Sequence, residues 1–62
     1  MGESKDYLSG DEQRRFQELI RARDLAWVAQ ELRATPHDVQ DAARGDDVDD
    51  DLADNIRRLL AR

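Results

Sequence analysis

A chain of 62 residues with 10 basic and 15 acidic side chains, and a net charge of −5, has room for one small domain. Of its 39% hydrophobic residues eight are alanine and three are aromatic (Tyr7, Phe16 and Trp27), so the apolar supply is thin. A domain of this size buries only ~60% of the surface its unfolded chain exposes. Cysteine is absent, which excludes disulfides and thiolate metal sites. The longest apolar run, residues 25–29, is too short for a membrane span or a signal-peptide core. These features imply a cytoplasmic domain with no cofactor and no metal. With one histidine and little bulk to shield a cleft from water, they also imply no enzyme.

Residues 1–8 show no apolar period and read as a flexible N-terminus, with Tyr7 and Leu8 able to fold back. A single helical domain is expected over residues 9–62. Ser9 and Glu12 have capping-box spacing, which starts a helix at Gly10 or Asp11. Phe16, Leu19 and Ile20 follow on one face. Neither glycine nor proline occurs in residues 21–33, so residues 10–33 read either as one helix or as two, with Asp24 capping the second. The Thr35-Pro36-His37-Asp38 stretch is a strong helix start: an N-cap, a proline at the first position and a carboxylate at the third. Gly45 is the natural residue to close that helix in a left-handed conformation. A last helix opens among Asp46, Asp47 and Asp49–Asp51 and ends at Arg57, Arg58 and Arg62, charges that complement the helix dipole. Leu52, Ile56, Leu59 and Leu60 are its buried stripe. The fold class is therefore all-α, a compact domain of three to four helices with no strand.

The stretch Val28-Ala29-Gln30-Glu31-Leu32-Arg33-Ala34-Thr35-Pro36-His37-Asp38-Val39-Gln40-Asp41-Ala42 resembles the helix-turn-helix of phage-repressor-like DNA-binding domains. Ala29 matches the small residue at which the two helices cross, and Leu32 the aliphatic residue ending the first helix. Thr35 matches the opening of the second helix, with Val39 and Ala42 on its inner face. The resemblance covers about half the chain and implies a helix-turn-helix-like core in a transcription-related protein. Two departures stand out: Arg33 occupies the turn where the family favours glycine, and the second helix exposes Asp38 and Asp41.

Residues 36–54 hold eight aspartates against Arg44, a local net of −7. Sequence-independent DNA affinity comes from phosphate attraction, which such a segment opposes. The expected activity is protein contact through an acidic face made by His37, Asp38, Gln40, Asp41, Asp46, Asp47, Asp50 and Asp54, steering a partner with a basic surface. A solvated, solubilising face is the plain alternative. A second reading is a dimeric, sequence-specific DNA-binding domain in which Gln40 and Arg44 read bases and Arg33 meets a phosphate. A third is a helical docking or homo-oligomerisation module. The aspartate run lacks the glycine and the terminal glutamate of a calcium loop: Leu52 and Arg58 stand there when counting from Asp47.

Overall fold

A computed structural model describes residues 4–62. The elements, in chain order, are β1 (Lys5–Asp6), α1 (Gly10–Ala22), α2 (Leu25–Leu32), α3 (Pro36–Ala43), β2 (Val48–Asp49) and α4 (Asp50–Leu60). The described residues are mostly helical, as the apolar periods imply. None of the helices is long and apolar enough to cross a membrane.

α1, α2 and α3 each start where a side chain satisfies a free N–H group, whereas α4 opens after Asp49 with no side-chain cap. At α1 the Ser9 hydroxyl accepts from the Glu12 N–H, and the Glu12 carboxylate accepts from the Ser9 N–H at 2.9 Å. Residues 10–33 form two helices: the Asp24 carboxylate accepts from the Trp27 N–H at 2.7 Å and opens α2. Thr35 caps α3 through the Asp38 N–H, with Pro36 at the first helical position. α2 closes on Arg33, whose backbone is left-handed (φ 55°, ψ 42°). There the Arg33 N–H donates to the Gln30 carbonyl and the Ala34 N–H to the Ala29 carbonyl, so the last carbonyls are satisfied although no glycine is present. At the end of α3, Gly45 (φ 86°) donates to the Ala42 carbonyl and Asp46 to the Asp41 carbonyl, the same closing pattern on the residue best suited to it.

The core is one cluster. Phe16, Leu8, Ile56, Val28 and Val39 are its largest fully buried side chains, with Ala29, Leu32, Ala42, Ala53 and Leu59 filling between them. Small residues at positions 29, 42 and 53 let short helices pack closely, which suits a chain poor in large apolar residues.

Two features depart from the sequence reading. The expectation of no strand is corrected by an antiparallel pair, Lys5 with Asp49 and Asp6 with Val48. Two residues per strand are too few to show alternation, and the partners lie more than 40 positions apart. Of the segment read as a flexible tail, residues 4–8 are packed on the domain, while residues 1–3 lie outside the described residues. Leu8 is fully buried and Tyr7 remains 60% exposed.

Arg57 ties this segment down. Its Nε donates to Glu12 Oε2 at 2.9 Å, its Nη1 to Asp6 Oδ2 at 2.7 Å and its Nη2 to the Tyr7 carbonyl at 3.2 Å. One planar guanidinium thereby joins β1, the start of α1 and the last turns of α4. The hydrogen bonds from Arg57 hold the Asp6 and Glu12 carboxyls below their ordinary values, helped by the Tyr7 and Ser9 N–H groups respectively. Both shifts are downward, so the stability they supply is complete above the unfolded carboxylate range, ~4, and is lost as pH falls through the lower folded values. Arg57→Met is therefore expected to be clearly less stable than the parent at pH 7, and the gap is expected to narrow as pH falls below the unfolded carboxylate range, ~4. Urea unfolding from pH 7 to pH 2 measures this; a gap independent of pH removes the clamp from the stability account.

Candidate functional site

α3 separates two surface depressions of opposite character, because its exposed residues divide by helical phase. Asp38 and Asp41 turn towards β2 and α4, whereas Gln40, Ala43 and Arg44, spaced i, i+3 and i+4, turn towards α1.

On the β2–α4 side lie two adjoining hollows of about 270 and 210 Å³ that share Asp38, Asp49 and Leu52. The first also takes in His37, Asp41 and Asp47, and the second Asp51, Asn55 and Arg33. Five aspartates thus line one continuous groove, against Lys5 at one edge and Arg33 at the other. Some of this charge is matched internally. Lys5 Nζ lies 3.2 Å from Asp49, and His37 Nε2 lies 3.3 Å from Asp41, whose other oxygen accepts from Arg44. Asp38, Asp47 and Asp51 form no ion pair among the described residues, and all three are exposed. Three carboxylates without cationic partners, held on a concave surface by α3, the loop before β2 and α4, give this face its field.

The eight residues expected on the acidic face divide accordingly. His37, Asp38, Asp41 and Asp47 line the groove. Gln40 lines the opposite depression. Asp46 accepts from Arg44 Nε and Nη2 at 3.3 and 3.1 Å, outside the groove. Asp54 pairs with Arg58 at 3.2 Å, one turn apart on α4, and Asp50 donates its N–H to the Ser4 carbonyl; neither lines the groove. Asp49 and Asp51 do line it and were missed. Asp51 shares its face of α4 with Asn55, one turn on, which also lines the groove, and Asp50 does not.

On the α1 side, Gln17, Ile20, Arg21, Leu25, Gln40, Ala43 and Arg44 surround a wide depression of about 470 Å³. Arg33 lies across the molecule from it, in the acidic groove, so Arg33, Gln40 and Arg44 do not share a face. Trp27 is half-buried against the core, with the Arg23 guanidinium 4.9 Å over its ring. Among the described residues no three His, Asp or Glu side chains converge as metal ligands.

Comparison with protein-family models, with curated proteins and with solved structures finds no match.

Proposed function

We propose that this domain works without catalysis, in the cytoplasm, as an interaction module of a transcription-related regulator that docks the basic surface of a partner protein in the α3–β2–α4 groove. The observation that carries this is the convergence of Asp38, Asp47 and Asp51, unpaired among the described residues, on one concave face. Being unpaired is not special to them, since Asp11, Glu18, Asp24 and Asp50 also lack an ion pair among the described residues; their gathering on one concave face is what suits an external cation.

What supports the regulatory part is the α2–α3 pair read as a helix-turn-helix-like core. The two helices are joined by residues 33–35, with Ala29, Val39 and Ala42 buried between them and Thr35 capping the second. The charge of the groove and the engagement of Arg44 by Asp41 and Asp46 disfavour a polyanion on the exposed side of α3.

The test uses the partner captured on the immobilised chain. Asp38→Asn combined with Asp47→Asn is expected to weaken its binding about tenfold and to flatten the salt dependence, since rim charges act through screened attraction. Unchanged affinity and slope remove the groove from the mechanism. A random-sequence duplex retarded by the chain at low salt instead favours the DNA-binding reading.

A further inference from the structure

α1 and α2 meet at a corner that a single residue makes. Arg23 keeps a right-handed helical backbone and Leu25 already belongs to α2, so Asp24, at φ 156° and ψ 168°, does the turning. That part of the backbone map is essentially reserved for glycine, and a residue with a β-carbon is strained there. Little else in the sequence opposes a continuous helix: neither glycine nor proline occurs in residues 21–33, and Ala22, Leu25 and Ala26 are strong helix formers. The corner also leaves helical bonds unmade. Arg23 donates to the Leu19 carbonyl and Val28 to the Asp24 carbonyl, both at helical spacing, but the N–H groups of Asp24, Leu25 and Ala26 have no backbone partner among the described residues. One side-chain bond compensates, from the Trp27 N–H to the Asp24 carboxylate at 2.7 Å. Rotating Asp24 alone into the helical region aims those three N–H groups at the Ile20, Arg21 and Ala22 carbonyls. It also keeps the Arg23 guanidinium near the Trp27 ring, since the two residues are one turn apart.

Within one chain the core forbids this straightening. α1 buries Phe16, and its Glu12 and Gln17 side chains are bonded to Arg57 and to the Ala43 carbonyl. A second copy removes the obstacle. We propose that Asp24 is a hinge at which α1 and α2 fuse into one helix over residues 10–32, so that two chains exchange their residues 4–22, each set packing on the α2–α4 portion of the other. Burial of Leu8 and Phe16, the Gln17 bond to Ala43 and the Arg57 bonds to Asp6 and Glu12 are then all made between chains. The two forms differ at the corner and in the entropy of association. Strain at Asp24 favours the exchanged dimer, and its cap on Trp27 favours the monomer. In either form α3, β2 and α4 stay together in one chain, so the exchange is independent of what the acidic groove binds.

Sedimentation of the full chain and of two hinge variants tests this. Asp24→Ala removes the cap and favours helix, and is expected to tighten dimerisation about hundredfold, because the change counts in both chains. Asp24→Gly relieves the strain and disfavours helix, and is expected to stay monomeric at the same concentrations. The parent refolded from urea at millimolar concentration is expected to contain the dimer as a minor species. Exchange is separated from simple association by refolding a nitrogen-labelled chain together with a carbon-labelled one. In the exchanged dimer the Gln17 side-chain amide of one chain lies against Ala43 of the other, and an isotope-filtered Overhauser effect connects them. A dimer that keeps this contact within one chain overturns the proposal. So does a monomeric Asp24→Ala, or an Asp24→Gly that dimerises as readily as Asp24→Ala. If Asp24→Ala does not fold, the parent decides: absence of the exchanged dimer after refolding at millimolar concentration overturns the hinge.

Discussion

Leu8→Ala is expected to lower the unfolding free energy by about 3 kcal/mol, within the range for truncating a fully buried leucine whose site cannot collapse. At ~0.05–0.15 kcal/mol per residue, a chain of 62 residues has a total stability of about 3–9 kcal/mol, so the variant loses roughly a third of it or more. Leu8 is fully buried beside a capping residue, its carbonyl accepts from Gln13 Nε2 at 2.8 Å, and Arg57 holds the chain on either side through Asp6 and Glu12. The neighbouring Tyr7→Ala serves as the contrast: its side chain is 60% exposed, and the expected cost is within ~0.5 kcal/mol. Urea unfolding of the two variants decides the point. If they cost the same, the segment before Ser9 is not part of the core.

Gly45→Ala carries the second largest effect, a net loss of about 1–2 kcal/mol. The φ of 86° puts a β-carbon in the left-handed region, and that atom would lie 2.5 Å from Gln13 Nε2 and 2.8 Å from Gln13 Cδ. Gln13 cannot simply swing aside, because its amide donates to the Leu8 carbonyl; moving it leaves that carbonyl less well satisfied. The reduced entropy of the unfolded chain returns only ~0.4–1 kcal/mol. The two residues therefore couple. In a Gln13→Ala background the clash is gone, and Gly45→Ala is expected to cost measurably less than in the parent. Strict additivity in the double-mutant cycle shows that only the backbone conformation matters at this position.

The elements that were legible in the sequence are those specified by neighbours a few positions apart. Ser9 with Glu12, and Thr35 with Pro36, mark helix starts that the backbone uses as expected. Gly45 ends α3 for the reason its composition suggests. The division at Asp24 was less clear because a short polar side chain can open a helix without glycine or proline beside it. Arg33 illustrates the converse: the turn adopts a left-handed residue although the side chain there does not favour one. Contacts across the chain were not legible. Arg57 reads locally as a base completing the dipole of α4, yet its hydrogen bonds reach residues 45 to 51 positions earlier. The strand pair fails to announce itself for the same reason.

The candidate site follows the same division. An acidic face was readable from charge counts, and Asp38, Asp41 and Asp47 could be placed on it. Which aspartates of the 46–54 run belong there depends on the residue at which α4 begins, and the run offers several equivalent starts. With α4 beginning at Asp50, Asp51 faces the groove and Asp54 faces Arg58.

Backbone amide shifts of the chain, mapped while the captured partner is titrated in, test the central claim most directly. If the acidic groove is the docking face, the perturbed residues cluster at 37–41 and 47–51, and the change at Asp38, Asp47 and Asp51 saturates together. Perturbation confined to Ile20, Leu25, Ala43 and their neighbours, with those aspartates silent, contradicts it.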